Sequence, residues 1–301
     1  MSKLLILDGN SVLHRAYYAL PDWRNRSGEA TAGVYGFLSM LLKAIEELKP
    51  THLAVVFDCP EPTFRHTWYV GYQTNREKDR QISEDIWGQV EKLKMVFEKM
   101  EVPVFSVGGF EADDVIGTLS LQATNPKSKI PIEVIIITGD RDLMQLVNDR
   151  VRLYMPQKGL SDGMIIDRDR VREKLGVWPE QVVDYKALVG DTSDNYPGVT
   201  GIGPKTAIVL INKYHNFYNI YKSRKDIKET VWRKLEMGYE GGELSKRLAT
   251  IKTDVPLTLQ LNELELPGEG KVLEVLKELG YKSLVKRVGG NDEVNQKGLF
   301  D

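Results

Sequence analysis

The sequence predicts an α/β fold in which a central, mostly parallel sheet is flanked by helices and followed by a helical region. Four short runs of aliphatic and β-branched residues are the expected strands, at 4–7, 53–57, 102–107 and 133–138. Amphipathic stretches of helical length lie between them, at 32–48, 86–100 and 111–123. Strands that alternate with helical patterns are typical of a parallel sheet.

Beyond residue 167 short amphipathic segments follow one another, which indicates a mostly helical second half. We expect them at 168–175, 179–189, 204–214, 227–237 and 244–251. The 301 residues are enough for one large domain or two modest ones. We therefore expect an α/β domain over 1–166 with an insertion at about 60–85, a helical region over 167–288 with a hairpin motif at about 190–214, and a tail or linker over 289–301.

Cysteine usage and hydropathy favour a soluble, cytoplasmic protein with no membrane partner. Cys59 is the single cysteine of the sequence, so an internal disulfide is excluded and a reducing compartment is favoured. The apolar stretch at the N-terminus is too short for a signal peptide, and the sequence has no apolar run of about 20 residues that could span a membrane.

The predicted insertion mixes aromatic and basic residues. Its aromatic residues are Phe64, Trp68, Tyr69 and Tyr72, and its basic residues include Arg65, Arg76, Lys78 and Arg80. Such mixing in a long connection favours an element that holds a single nucleic-acid strand. A solvated loop or an amphipathic hairpin fits equally well, because acidic residues in the same segment offset its positive charge.

Acidic residues follow each of the four predicted strands. In chain order these residues are Asp8, then Asp58, then Glu111, Asp113 and Asp114, then Asp140 and Asp142. The carboxyl ends of parallel strands meet at one edge of a sheet, and ligands bind there. We therefore expect these carboxylates to converge.

Converging carboxylates need a counter-charge, because a pair about 4 Å apart repels by about 4 kcal/mol at an effective dielectric constant of about 20. Carboxylates without His or Cys partners suit hard ions such as Mg²⁺ or Mn²⁺. None of the four histidines lies in a zinc pattern such as HExxH. A single Asp after a strand is more often a helix N-cap, but four such strands in a row favour a metal site.

The stretch GDTSDNYPGVTGIGPKTA, residues 190–207, combines two acids with a glycine-rich turn. Asp191 and Asp194 are three residues apart and share a face if the turn is helical. The glycines Gly198, Gly201 and Gly203 precede a helical pattern that opens at Pro204. A turn of this kind exposes backbone N–H groups to a phosphate, and Lys205 adds positive charge. The pattern favours a hairpin that grips a DNA backbone without reading bases.

Seven blocks of the sequence together resemble the 5′-nuclease family, which includes the exonuclease domain of bacterial DNA polymerase I, phage 5′-exonucleases and flap endonucleases. In family order they are LLILDGNSVLHRAYYAL, GVYGFLSML, VVFDCPEPTFRH, GFEADDVIGTL, ITGDRDLMQLV, LVGDTSDNYPGVTGIGPKTA and LATIKTDVPL. They run from about residue 3 to about residue 259. The resemblance implies a PIN-like sheet, a helical arch over the insertion and a helix–hairpin–helix-type motif.

The resemblance also implies a set of metal ligands and a reaction. The implied ligands are Asp8, Asp58, Glu111, Asp113, Asp114, Asp140, Asp142, Asp191 and Asp194, none of which is substituted. They would hold two divalent cations, Mg²⁺ or Mn²⁺, for hydrolysis of DNA phosphodiesters in primer removal and repair. Setting these nine residues aside leaves 34 of the 43 acidic residues against 41 basic ones. A net charge of −2 is therefore compatible with a DNA partner.

Further residues are assigned by the same resemblance. Arg76 and Arg15 match basic positions near the scissile phosphate, whereas Gln73 stands where the family usually has lysine. The implied DNA contacts are Gly198, Val199, Gly201, Ile202, Gly203, Lys205, Thr206, Arg65, Lys78 and Arg80. Carbonyls around Val199 and Ile202 would hold K⁺. The expected partner is branched or nicked DNA with a 5′ end or flap, with a polymerase domain in cis or trans and the chain acting as a monomer.

Three other functions share features with this sequence. A branched-DNA-binding protein with weak or absent catalysis is suggested by Gln73, because removal of one transition-state donor commonly costs about 10²–10³ in rate. A PIN-like ribonuclease would share the acidic edge but lack the glycine-rich hairpin. A phosphatase of the type suggested by LLILDGN needs a second Asp where this chain has Asn10.

Overall fold

The computed structural model describes residues 2–24, 28, 30–74, 80–125, 132–157 and 163–289, without the side chains of Arg80 and Gln81. The described strands are β1 Ser2–Asp8, β2 His52–Val56, β3 Val104–Phe105, β4 Ile132–Ile137, β5 Val151–Pro156 and β6 Gly163–Ile166. They form one sheet in the order β3-β2-β1-β4-β5-β6. Neighbours are parallel except β5 and β6. The predicted α/β class with a mostly parallel sheet is confirmed.

Helices cover both faces of the sheet and form the second half of the chain. In the first half they are α1 Gly9–Ala19, α2 Ala32–Leu48, α3 Phe64–Trp68, α4 Arg80–Lys99 and α5 Ala112–Ala123. In the second half they are α6 Arg168–Leu175, α7 Val182–Val189, α8 Pro204–Tyr214, α9 Phe217–Lys222, α10 Glu229–Met237, α11 Tyr239–Ala249, α12 Glu269–Glu278 and α13 Lys282–Gly289. Short 3-10 helices occur at Asp142–Leu146, Pro179–Gln181, Arg224–Asp226 and Leu261–Glu263.

The central strands bury side chains on both faces. In β1, Leu5 and Leu7 join one hydrophobic core, whereas Leu4 and Ile6 join the core on the opposite face. All four side chains have no solvent exposure. Burial on both faces explains why these strands appear in the sequence as continuous apolar runs rather than alternating ones.

The core on the α5 side of the sheet continues into the helical half. It contains Ile6 and Ile136 of the sheet together with Val182, Leu188 and Phe217 of the helical half. The predicted division near residue 166 therefore does not separate two hydrophobic cores.

The chain returns to the sheet after α11, and we call residues 251–289 the return segment. The backbone N–H of Leu53 donates to the Leu264 carbonyl at 2.8 Å, next to the start of β2. Leu276 of α12 and Leu284 of α13 are fully buried in the core on the α2 side. Arg287 Nη1 donates to the carbonyl of Ser39 at 3.0 Å. The return segment therefore packs on the sheet half.

Two predicted segments lie partly outside the described residues. These are positions 75–79 of the insertion and positions 290–301 of the predicted tail. Within the described part of the insertion, α3 is followed by a turn at 70–74, and α4 begins at Arg80. In the described part of the chain, no helix has the length and apolar character needed to cross a membrane.

Candidate metal centre

The carboxyl ends of β1, β2 and β4 lie side by side and bring acidic residues to one edge of the sheet. The register pairs Asp8 with Val56 of β2, and Leu7 with Ile137 of β4. A cleft of about 1330 Å³ opens at this edge. The acids that line it are Asp8, Asp58, Glu61, Glu111, Asp113, Asp140, Asp142 and Asp191. Acids from both halves of the chain therefore converge in one cleft.

Asp8 is held by contacts to two elements. Its Oδ1 accepts a hydrogen bond from the backbone N–H of Ser11 at 3.1 Å and caps α1. Its Oδ2 accepts from Thr138 Oγ1 at 2.6 Å. Asp8 is therefore the N-cap of α1, as a single Asp after a strand often is. It is also 4% exposed and lines the cleft.

Asp58 and Glu111 are joined through the start of α5. Asp58 Oδ1 accepts a hydrogen bond from the backbone N–H of Ala112 at 2.7 Å. Glu111 accepts from Thr63 Oγ1 at 3.3 Å and from Tyr72 Oη at 3.2 Å. These donors hold the Glu111 carboxylate from the side of α3 and the turn that follows it.

A second group of acids joins the two halves of the chain. Asp142, Asp191 and Asp194 offer carboxylate oxygens that all lie within 4.8 Å of one another. Asp142 is anchored by its backbone N–H, which donates to Asp140 Oδ1 at 2.8 Å. Tyr72 Oη lies 3.4 Å from Asp194 Oδ2 and so links this group to Glu111.

The pKa values of several carboxyls reflect first their burial and then their neighbouring carboxylates. Burial raises the pKa of Asp8, Glu111 and Asp142 to about 7. Burial, reinforced by the neighbouring Asp140, raises the pKa of Asp113 well above its usual range. Without a cation these groups therefore retain protons near neutral pH.

Lys186 of α7 is a site residue that the sequence analysis missed. Its Nζ donates to Asp142 and, at 2.6 Å, to Asp191. Burial alone would raise the pKa of Asp191, but this ammonium lowers it. Burial alone would lower the pKa of Lys186, but the carboxylates raise it well above its usual range. The sequence signal was a lysine five residues before Asp191, on the helix that leads to it.

Asp114 and Arg65 differ from their predicted roles. Asp114 has no solvent exposure, and its carboxylate pairs with Arg65 at 2.7 and 2.9 Å. Asp114 Oδ1 also accepts from the backbone N–H of Lys252 at 2.7 Å. The prediction of Asp114 as a metal ligand is therefore replaced by a structural role. Arg65 is 2% exposed, so the prediction that it contacts DNA is wrong.

The hairpin divides into a buried and an exposed part. Gly198 is buried, and its backbone N–H donates to Ser245 Oγ at 2.8 Å. The side chains of Val199 and Ile202 are 2% and 4% exposed. The Val199 carbonyl accepts the N–H of Ile202 at 2.9 Å. The Gly198 N–H and the Val199 and Ile202 side chains therefore shape the turn, and the predicted DNA contacts of these three residues stay predictions.

The exposed part surrounds the start of α8. Gly201, Gly203 and Lys205 are exposed, and Thr206 is half-buried. Pro204 occupies the first turn of α8 with Gly203 as its N-cap. Lys234 adds a cation missed by the sequence analysis, because its Nζ donates to the Gly201 carbonyl at 3.1 Å.

The predicted basic residues near the cleft are described only in part. Arg15 lines the cleft, and its Nη2 donates to the carbonyl of Gln157 at 2.7 Å. Arg76 and Lys78 lie outside the described residues, as does the side chain of Arg80. Gln73 also lines the cleft, and its Nε2 lies 3.5 Å from Glu111 Oε1.

The donor set fits hard divalent cations. The acids that line the cleft offer carboxylate oxygens, the ligands that Mg²⁺ and Mn²⁺ prefer. Burial, reinforced by neighbouring carboxylates, raises the pKa of Asp8, Glu111 and Asp113, and a bound cation would favour their charged forms. The group around Asp142 lies close enough together for one ion to contact several of its oxygens. These features support divalent metal binding.

Comparisons with known proteins identify similar chains. A sequence model described as the 5'-3' exonuclease N-terminal resolvase-like domain matches residues 3–176, and one described as the 5'-3' exonuclease C-terminal SAM fold matches residues 177–271. DNA polymerase I of Caldicellulosiruptor bescii is 39% identical over 298 residues, which make up 97% of this chain and 34% of that protein. This chain thus spans about a third of the length of the polymerases that it matches.

Solved structures share the fold over nearly the whole chain. T5 5'-exonuclease with bound zinc superposes with a TM-score of 0.67 at 20% identity, over 96% of this chain and 97% of that one. A variant of bacteriophage T5 flap endonuclease in complex with DNA and metal ions superposes with a TM-score of 0.66 at 17% identity, over 98% and 100% of the two chains.

Proposed function

Since this chain belongs to the 5'-3' exonuclease family, we propose that it hydrolyses DNA phosphodiesters at 5′ ends and 5′ flaps with the help of divalent cations. The observation that carries the proposal is the convergence of acids from both halves of the chain in one cleft. The reaction class matches this chemistry, because a phosphodiester gains negative charge during hydrolysis and needs cations beside it.

The acids would hold two ions, Mg²⁺ or Mn²⁺. Bound ions of this kind lower the pKa of water and stabilise charge on the scissile phosphate. Asp8, Asp58, Glu111 and Asp113 would bind one ion, and Asp113, Asp140, Asp142, Asp191 and Asp194 would bind the other. The hydrogen bonds that Thr138 and Tyr72 donate to these carboxylates hold them in place before any ion binds.

The remaining residues would orient the DNA. Arg15 at the cleft would contact the phosphate backbone near the cut, and Arg76 would join it from the insertion. The exposed start of α8, with Gly203 and Lys205, would bind a phosphate of the duplex. These contacts go to the backbone, so they fix position without reading sequence. We also propose that carbonyls around Val199 and Ile202 bind K⁺.

The cellular role is proposed from the polymerase relatives. They are about three times as long as this chain, so we propose that it works with a polymerase domain, in cis or in trans. Primer removal and repair are the steps in which a 5′ nuclease would act beside a polymerase. A single chain holds all the proposed ligands, which favours action as a monomer.

Gln73 favours a second candidate, binding of branched DNA with weak catalysis. It lies at the cleft beside Glu111 but carries no charge to place against a phosphate. Such a protein would still bind flap DNA, and it would cut slowly even with saturating metal.

A labelled flap duplex separates these candidates. We would incubate a 5′-labelled flap with the protein in Mg²⁺, in Mn²⁺ and in EDTA, and repeat this with Asp140→Asn. The proposed nuclease gives a short labelled product in either metal, none in EDTA, and a product strongly reduced by Asp140→Asn.

Asp149→Asn is the matched control, because Asp149 is exposed and lies outside the cleft lining. It should cut as fast as the wild type. Tight flap binding without product in either metal would favour the second candidate. Equal cutting by Asp140→Asn would contradict the proposed role of Asp140.

A further inference from the structure

Lys186 places an ammonium group among the acids of the second group. Its Nζ donates to Asp142 and to Asp191, whose carboxylates also lie within reach of Asp194. Its side chain is 11% exposed. The ammonium of Lys186 therefore already balances the charge of Asp142 and Asp191, which are proposed ligands of the second divalent ion.

An ammonium and a metal ion cannot share this position. Mg²⁺ approaches its oxygen ligands to about 2.0–2.1 Å, and Lys186 Nζ lies 2.6 Å from Asp191 Oδ2. An ion bound to the same two carboxylates would thus lie next to Nζ, and the two like charges would repel strongly. We propose that Lys186 and the second divalent ion compete for Asp142 and Asp191. The proposal rests on the proposed function, which supplies the ion.

The Lys186 ammonium can move away from Asp142 and Asp191 without disturbing the helix that carries it. Lysine is a point charge on a flexible stem of four carbons, and Lys186 lines the open cleft rather than a closed core. The Tyr196 ring, with its centroid 5.9 Å from Nζ, is the other close partner of the ammonium. An ion that binds here would therefore displace the ammonium without unfolding α7.

Arg65 is a described cation beside Glu111, which is one of the ligands proposed for the first ion. Arg65 Nη1 lies 3.2 Å from Glu111 Oε2, but the same guanidinium is fixed to Asp114 and to the carbonyl of Leu248 at 2.8 Å. Arg65 does not line the cleft. Unlike Arg65, Lys186 is a cation that can move, and its charge weakens binding of the second ion to Asp142 and Asp191.

Calorimetric titration with Mn²⁺, on the full chain without DNA, tests the competition. We expect the wild type to bind one ion tightly and a second ion more weakly. Lys186→Gln removes the charge and should tighten the weak site at least about tenfold while leaving the tight site within about twofold. Lys186→Arg keeps the charge, and its second site should stay weak. Equal affinities for the second ion in the wild type and Lys186→Gln would overturn the proposal.

A measurement on the wild type covers the case in which Lys186→Gln does not fold. Lysine side chains labelled with ¹³C at the ε position would be followed by NMR during Mg²⁺ titration, with the Lys186 signal assigned from Lys186→Arg. The signal should shift with the second equivalent of Mg²⁺ and not with the first. A signal that stays unchanged through both equivalents would contradict displacement.

The same titrations distinguish failure of this inference from failure of the proposed function. If no variant binds divalent ions, the proposed function fails and this inference fails with it. If two ions bind and Lys186→Gln changes neither affinity, the inference alone is wrong.

Discussion

The guanidinium of Arg65 and the carboxylate of Asp114 form a two-pronged ion pair inside the protein, with Nη1–Oδ2 at 2.7 Å and Nη2–Oδ1 at 2.9 Å. Arg65 Nε also donates to the Leu248 carbonyl at 2.8 Å, and Nη2 donates to the Thr250 carbonyl at 2.9 Å. The pair therefore joins α3 to α5 and to the end of α11. It holds the base of the insertion against both halves of the chain.

The first prediction concerns this pair. Asp114→Asn breaks the buried two-pronged pair with Arg65, and the loss of a buried pair costs about 3–5 kcal/mol of unfolding free energy. Urea unfolding in EDTA would measure it. Arg152→Ala is the control, because the Arg152–Glu133 pair is only half-buried and worth about 1 kcal/mol or less. A loss in Asp114→Asn no larger than in Arg152→Ala would contradict the structural role.

The second prediction concerns Gln73. Gln73→Lys places an ammonium beside Glu111 at the cleft, where it can meet a phosphate, and we expect kcat on a 5′ flap to rise at least about tenfold. The residue has φ of 55°, which lysine tolerates as well as glutamine does. Single-turnover cutting at saturating Mg²⁺ measures the change. Gln73→Met controls for side-chain length without charge, and an equal gain there would show that charge is not the cause.

The third prediction is a pH dependence of the ion-free protein. Burial raises the folded-state pKa of Asp8, Glu111 and Asp142 to about 7, above the values of 3.8 to 4.5 expected when unfolded. Between these values the folded state binds more protons, so the unfolding free energy falls as pH rises through this interval and levels off above it. Urea unfolding in EDTA at about pH 5 and about pH 8 measures the fall.

Divalent ions should reverse this fall, because they replace the protons as counter-charge. Saturating Mg²⁺ at the higher pH should raise the urea midpoint. Asp8→Asn should lessen the pH dependence in EDTA, since it removes one of the groups that titrate. A midpoint in EDTA that rises steadily from the lower to the higher pH would argue against crowding of these acids.

The fourth prediction concerns the return segment. Leu276 is fully buried between α12 and the sheet half, so Leu276→Ala should cost about 2–5 kcal/mol of unfolding free energy. Leu121→Ala, at a position that is 56% exposed, is the control and should change stability by less than about 1 kcal/mol. If Leu276→Ala unfolds no more easily than the control, α12 is not part of the stabilising core.

Strands β1, β2 and β4 and three helices could be predicted closely because their signals are local, whereas β3 is shorter than predicted and β5 and β6 were not predicted. The continuous apolar runs mark strands buried on both faces, and the helices predicted at 32–48, 168–175 and 204–214 have the bounds of α2, α6 and α8. The helix predicted at 244–251 begins earlier, at Tyr239. Its glycines disfavour a helix locally, but Gly242 packs against Phe217, where a Cβ would come within 2.7 Å of the ring. Tertiary packing therefore overrides propensity there.

The misassigned site residues depend on contacts between distant parts of the chain. Asp114 is one residue from Asp113 in the EADD block, and nothing local shows that it is turned to Arg65 rather than to the cleft. Lys186 meets Asp142 only because α7 docks against the 3-10 helix that follows β4. A sequence pattern identifies the acids, but the folded structure decides which cation each one meets.

The division of the acids between two halves of the chain has a consequence for the newly made protein. Synthesis releases Asp8, Asp58, Glu111, Asp113, Asp140 and Asp142 from the ribosome before Asp191 and Asp194. A nascent chain that ends at α6 would contain Asp142 but neither Asp191 nor Asp194, and it would lack Lys186 as well. On the proposed function, an unfinished chain of this length would thus not cut nearby nucleic acid, and cutting would start only after α7, Asp191 and Asp194 have emerged and docked.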